Sequence, residues 1–323
     1  MKKILTSISS IFLLLLVTAS IASAQEDSSI SSEDVSTQKV SVDDNLIIEK
    51  RNDGRVLPVE DVNDLTLNQL DGILREMKYS NEMIAEMPQP EKEYVVSQGG
   101  VAVPVKTELK RYFRTSDGQR ILITEENMNE VETLRQQEIT KINTELNSDL
   151  KIAPLAAGSV SDGSFSGSGS LSYIGKSPNA KEFEFSFRDN FSFSKNVSRK
   201  FTDKIAHAWQ SHTTSIYNSG NWWSYVGDTR IQNILSTKNE GSLYGRSGSF
   251  SHNGTIGEIG GWLTDTVRIP VSQKGTTGKW VTRYSHPWTA LTPSITIGPI
   301  SISYSAFVGD EWEWENTFVI QGS

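Results

Sequence analysis

Residues 182–193 read EFEFSFRDNFSF. Phe183, Phe185, Phe187, Phe191 and Phe193 occupy one alternate set, and Glu182, Glu184, Ser186, Arg188, Asn190 and Ser192 occupy the other. A period of two with this contrast predicts a β-strand with one covered face and one wet face. Asp189 interrupts the phenylalanine row, which predicts either a bulge or a turn at Asp189-Asn190. Near the C-terminus, Ile300, Ile302, Tyr304, Ala306 and Val308 alternate with Ser301, Ser303, Ser305 and Phe307, and EWEWENTFVI (311–320) follows. Keeping the buried faces together predicts a hairpin with an odd loop centred on Asp310. It pairs Ala306 with Trp314, Ile302 with Phe318 and Ile300 with Ile320.

The phrase GSFSGSGSLSYIG (163–175) returns as GSFSHNGTIGEIG at 248–260. Two equivalent strand–turn–strand corners would explain the repetition, with glycines where the backbone turns or approaches closely. The alternative is that Gly/Ser-rich stretches resemble one another by composition. Asp203 to Ile216 fits one helix or a loop–strand passage. Together these patterns predict a mainly β C-terminal half, an antiparallel sandwich or a long twisted sheet.

The first half carries a different period and predicts a small α+β module. Thr66 to Lys78 is a helix: Thr66 and Gln69 have capping-box spacing, and Leu67, Leu70, Ile73, Leu74 and Met77 form one apolar face. Asn81 to Met87 is a shorter helix after Ser80, closed by Pro88. Asp117-Gly118 predicts a two-residue hairpin loop with Phe113 opposite Leu122 and Tyr112 opposite Ile123. A long amphipathic helix runs from Glu125 toward Leu150, with Met128, Val131, Leu134, Ile139, Ile142 and Leu146 on its inner side.

Charge reinforces this division. Of the chain's net −8, residues 25–157 carry −11 and residues 158–323 carry +1. All eight tryptophans and all four histidines lie in the second stretch. The expected organisation is a signal peptide at 1–24, a disordered acidic segment at 25–45, an α+β module at 46–150, a linker at 151–158 (KIAPLAAG) and a β domain at 159–323. Lys2 and Lys3, the apolar run from Ile4 to Ile21 and Ala22-Ser23-Ala24 form a bacterial secretory signal cleaved after Ala24. No later stretch reaches the ~20 apolar residues of a spanning helix. The chain has no cysteine, which excludes disulfides and cysteine-linked lipid. A net acidic exported chain also argues against nucleic acid. The acidic half reads as a propeptide removed near the linker or as a permanent spacer.

Candidate chemistry is sparse. His207, His212, His252 and His286 lack metal-ligand spacing, and no HExxH, GxSxG or Walker motif occurs. No cofactor or metal is expected. Glu313 and Glu315 share a strand face about 7 Å apart, within reach of glycosidase geometry. Solvated side chains on a strand have the same spacing. Trp222, Trp223 and Tyr225 lie in SGNWWSY (219–225), which reads as a loop suited to stacking on sugar rings or resting at a membrane interface. The first reading of function is a secreted, non-enzymatic binder of a cell-surface glycan, cell-wall polymer or lipid headgroup, with Trp222, Trp223 and Tyr225 as contacts. The second is a membrane-active or pore-forming protein using strands 163–173, 182–194 and 300–308. The third is a glycan hydrolase using the Glu313/Glu315 region.

Overall fold

The computed structural model describes residues 36–145, 165–194, 201–226, 229–251, 258–289 and 292–322. In chain order, the first stretch holds β1 (Thr37–Ser41), β2 (Ile47–Arg51), α1 (Leu67–Glu76), α2 (Asn81–Glu86), α3 (Gln89–Gln98), β3 (Val101–Ala102), β4 (Lys106–Arg114), β5 (Arg120–Leu122) and α4 (Met128–Glu145). Then follow β6 (Phe165–Lys176), β7 (Glu182–Phe193), β8 (Thr202–Trp209), β9 (Thr214–Val226), β10 (Thr229–Ile234), β11 (Ser236–Lys238) and β12 (Gly245–Ser251). The last are β13 (Ile259–Pro270), β14 (Thr277–Pro287), β15 (Ile295–Gly298), β16 (Ser301–Tyr304) and β17 (Gly309–Val319).

Two antiparallel sheets form the sandwich. One has the order β10-β9-β13-β7-β6-β3 and the other β11-β12-β8-β14-β17-β4-β5. The alternation read from β7 holds along its whole length, and all five phenylalanines point between the sheets. Phe183, Phe185 and Phe187 pack with Trp209, Trp280 and Phe318 of the facing sheet, and Phe191 and Phe193 pack with Ile205, Tyr284, Trp312 and Trp314. Stacked pairs tie the layers: Phe187 lies 4.6 Å from Trp280 and Phe165 lies 4.2 Å from Trp312, centroid to centroid. Burying each phenylalanine contributes roughly 2 kcal/mol.

Asp189 causes neither bulge nor turn. β7 pairs with β13 without a register shift from Glu182 to Phe193, so Asp189 keeps the phase of the phenylalanines and enters the core, with no exposed surface. There its carboxylate accepts from the indole N–H groups of Trp280 and Trp314, both at 3.0 Å, and from Asn316 at 3.3 Å. His207 Nδ1 lies 2.8 Å from its second oxygen, and His207 Nε2 lies 2.8 Å from Asp265. Asp265 then accepts from Arg246 Nε at 3.0 Å and from the Ser215 hydroxyl. Two carboxylates, one imidazolium and one guanidinium thus alternate through the core with their charges balanced, the arrangement that buried ions require. Gly169 faces Asp189 across β6–β7, and a Cβ there would collide with the Asn316 amide.

Both halves of the chain build this sandwich. β3 pairs with β6, and β4 pairs with β17 from Gly309↔Arg114 to Thr317↔Lys106. Residues 36–323 form one compact unit, so the shift in composition near residue 157 is not a seam between folding units among the described residues. On the outer face of the β17 sheet, Glu311 and Glu313 meet Arg114 and Arg120 from the first half. The helices have a core of their own around Leu70, Ile73, Leu74, Val95 and Val96. They cover the outer face of β6 and β7 through Arg188–Glu91 at 3.1 Å and Tyr79–Ser172 at 2.5 Å.

The capping box on α1 and the Ser80 cap on α2 form as the sequence predicts. Pro88 does more than close α2: it is the N-cap of a further helix, α3, whose first turn contains Pro90. Of the acidic segment 25–45 expected to be disordered, residues 25–35 lie outside the described residues, and Thr37 to Ser41 is strand, held by β2 and by packing of Val40 and Val42 on the helical core. The hairpin at Asp117-Gly118 has three loop residues, with Gly118 at φ +88 and pairs Tyr112↔Leu122 and Phe113↔Ile121. That is a type I turn followed by a left-handed glycine, which shifts the register by one.

The predicted C-terminal hairpin is replaced by two different pairings. β16 pairs with β15, and their Ile295, Ile297, Ile302 and Tyr304 cover Ala206, Ala208 and Val281 on the outer face. β17 lies between β14 and β4, leaving no free side for residues 300–308. Asp203 to Ile216 spans β8 and the start of β9, with no helix. The doubled phrase marks no equivalent corners: its first copy, from Phe165, is one strand of the six-stranded sheet, whereas Phe250 lies in β12 of the other sheet. Residues 252–257 of the second copy and 163–164 of the first lie outside the described residues.

Two outcomes follow from this arrangement. Residues 158–323 expressed alone lack β3, β4 and β5, and should be insoluble or give no cooperative melt. Supplying residues 36–157 in trans should restore a soluble complex on size exclusion. Burial alone would lower the proton affinity of His207, but its bonds to Asp189 and Asp265 win and raise its pKa from 6.5 to about 9. Its stabilisation, on the order of 3 kcal/mol, is complete below about pH 6.5 and declines as pH climbs through about 9. Thermal melts from pH 6 to 10 should show that decline in the native chain, and His207→Gln, less stable throughout, should lack it.

Candidate functional site

Two of the four histidines are sealed in the sandwich. His207 has no exposed surface, and His286 shares Asp203 with the Tyr284 hydroxyl at bond lengths of 2.8 and 2.5 Å. His212 is half-buried, and His252 lies outside the described residues. Among the described residues no three His, Asp or Glu side chains gather as metal ligands. Glu313 is held by Arg120 at 2.9 Å and by Arg283, and Glu315 by Lys279 at 2.5 Å. The carboxylates nominated for hydrolysis therefore serve as counter-ions to cations of β5 and β14.

The strands nominated for membrane contact turn their apolar rows inward: Phe165, Leu171 and Tyr173 of β6 and the phenylalanines of β7 all lie in the core. Residues 300–308 contribute only the four-residue β16. The exposed large apolar side chains are elsewhere, including Ile216 and Tyr217 of β9, Ile234 of β10 and Leu243 before β12. No helix among the described residues is long and apolar enough to cross a membrane.

A groove of about 1380 Å³ lies between the helices and the outer face of the six-stranded sheet. Met83 and Pro88 form part of its helical side, Val103 to Val105 one end, and Ser166, Ser168, Asn190 and Ser192 its floor. Trp223 and Tyr225 also line it. SGNWWSY is strand rather than loop, because β9 is flanked on both sides, by β13 and β10. Pleating therefore sends neighbouring side chains to opposite faces. Trp222 points inward and stacks on Phe250 with centroids 4.9 Å apart, whereas Trp223 lies on the outer face.

Register aligns the outer face into rows across β6, β7, β13 and β9. One row is Ser166, Ser192, Gly260 and Trp223; the next is Ser168, Asn190, Trp262 and Asn221; the third is Ser170, Arg188, Thr264 and Ser219. Gly260 leaves the space that the Trp223 ring occupies, since a Cβ there would overlap the indole. Trp223 and Trp262 are 6.1 Å apart by ring centroid. The structure thus brings Trp223 and Tyr225 to one groove and removes Trp222 from it. Sequence reasoning missed Ser166, Ser168, Ser170, Asn190 and Ser192 as groove residues. Their signal was the polar set of the alternating strands, which reads only as a wet face.

No family model matches the chain, and no curated protein matches it. Among solved structures, the collagen-binding domain of a Staphylococcus aureus adhesin is 8% identical with a TM-score of 0.25, over 39% of this chain and 87% of that one. The collagen-binding subdomain of the Enterococcus faecalis surface protein ACE is 11% identical with a TM-score of 0.29, over 49% of this chain and 97% of that one. The Clostridium perfringens NetB toxin in its membrane-inserted form is 8% identical with a TM-score of 0.23, over 47% and 94%. At such scores these likenesses assign the chain neither a family nor a ligand.

Proposed function

We propose that the chain is an exported, non-catalytic binding protein whose ligand lies in the groove on the outer face of the six-stranded sheet. The ligand classes are an extracellular glycan, a cell-wall polymer or a lipid headgroup. The observation that carries this reading is the position of Trp223 and Tyr225. They stand together in the wall of a groove of about 1380 Å³, above serine and asparagine side chains, while His207 and His286 are buried and Glu313 and Glu315 are ion-paired. Trp222 leaves the contact set because it stacks on Phe250. Export rests on residues 1–24. The acidic half remains with the β half, because its strands complete both sheets.

A panel of immobilised glycans, purified wall polymer and lipid vesicles tests this assignment. One class should bind, Tyr225→Ala should weaken that binding about tenfold, equivalent to ~1.4 kcal/mol, and Trp222→Phe should not. Hydrolysis of any polymer in the panel would overturn the non-catalytic reading. Mass spectrometry of protein from culture medium should give a chain beginning at Gln25; a start near Gly158 would restore the propeptide reading.

A further inference from the structure

The helical layer meets the six-stranded sheet through an interface unlike either core. Its apolar cluster runs from Val40 to Ala102 and, among the described residues, takes no side chain from β6, β7, β13 or β9. The apolar clusters between the sheets take none from residues 36–100. Polar groups join the layer to the sheet instead. Arg55 Nη1 donates to the Ile174 carbonyl at 2.6 Å, Tyr79 meets the Ser172 hydroxyl at 2.5 Å, and Arg188 donates to Glu91 at 3.1 Å. Around Arg188, two rows of the sheet face carry buried polar atoms without a partner. Ser170 Oγ, Arg188 Nε and Thr264 Oγ1 lie on one row, and Ser186 Oγ and Thr266 Oγ1 on the next. Ser186 and Thr264 are 1% and 0% exposed. On α3, Tyr94 Oη is also buried and unpartnered. Native cores leave few such atoms unsatisfied, so a cluster of them marks a seam that is wet or poorly matched.

These features set the balance of separation. A layer that leaves the sheet keeps its own apolar core, the surface that drives its folding. The crossing hydrogen bonds are exchanged for bonds to water, and the unmet atoms gain bonds they lack. Glu91 and Arg188 recover the hydration that burial denied them. The chain leaves the layer through Gly99 and Gly100, at φ +65 and +104, where the lack of a Cβ permits rotation. Beyond them β3 stays paired with β6, and the Ala102 N–H gives up its bond to the Met77 carbonyl.

We infer that residues 36–100 are a hinged cover, which swings off the outer face as a folded unit and leaves the sandwich intact. Met83, Met87 and Pro88 form one side of the groove, so each opening removes that side and bares the rows around Arg188. The motion is independent of what the groove binds.

The chain has no cysteine, so a single introduced thiol reports the exposure of its own site. Ser186→Cys and Thr264→Cys place one under the cover, Val267→Cys in the core between the sheets, and Val96→Cys in the core of the helices, each at a buried position. In the folded full chain, a bulky dye maleimide should label the first two at least about tenfold faster than the last two. Either of the first two suffices if the other fails to fold. Glu91→Gln leaves Arg188 buried without its counter-ion, so it should speed labelling under the cover by about tenfold more and leave both core thiols unchanged. Equal rates at all four sites would mean that only global unfolding bares the face, and would overturn the cover. Val96→Cys reacting as fast as Ser186→Cys would mean that the helices melt rather than swing, which overturns the folded unit. A Glu91→Gln effect that is absent, or the same at all four thiols, would also overturn the inference.

Discussion

A carboxylate set in the middle of a phenylalanine row must either be expelled from the core or be supplied with donors from every side. Asp189 takes the second course, and the donors come from three strands of the opposite sheet: His207 from β8, Trp280 from β14, Trp314 and Asn316 from β17. Each of those strands is thereby fixed in height and register relative to β7. A purely apolar interface tolerates sliding, because dispersion contacts are non-directional. A four-donor carboxylate does not. The aromatic stacks above and below it, Phe187 on Trp280 and Phe165 on Trp312, are consistent with that fixed alignment. The same anchor explains a glycine in the Ser/Gly-rich strand β6, since Gly169 leaves room for the Asn316 amide.

With the inner face occupied in this way, differences of function fall to the outer faces. The outer face of the seven-stranded sheet is closed by the Glu311–Arg114–Arg120 ion network and by the β15–β16 hairpin. The outer face of the six-stranded sheet is only partly closed. Arg188 and Glu91 form its buried link to the helices, and burial pushes the Glu91 carboxyl up in spite of the guanidinium beside it. The groove with its serine and asparagine floor opens beside that link, between the helices and the sheet. The site is therefore the remainder of a face, bounded by where a helical layer stops rather than by loops.

Sequence alone showed which way residues face much better than which strands they join. The phenylalanines of β7, the Trp312/Trp314 pair and the capped helix at Thr66 were all legible, because periodicity and capping are local. Partners were not. β17 was assigned to residues 300–308 by buried-face matching, and any strand with a compatible face would have passed that test. Asp189 looked like an interruption because its four donors lie up to 127 positions away. Trp222 and Trp223 looked like a loop because Ser, Gly and Asn surround them, and only the flanking strands of β9 force them onto opposite faces. The serines of the groove were visible as a polar face, but nothing local says which polar faces remain open.

The pairing of β4 with β17 also governs when this molecule can exist at all. Arg114 and Glu311 are 197 positions apart. β14 needs the same strand on its own side. Until β17 has been made, then, the seven-stranded sheet is two separate pieces, and the basic strands β4 and β5 have no acidic partner to close against. Contacts this distant make folding slow, because both strands must be present before either is held. A nascent chain cut short before Gly309 lacks the keystone of its larger sheet and cannot lock.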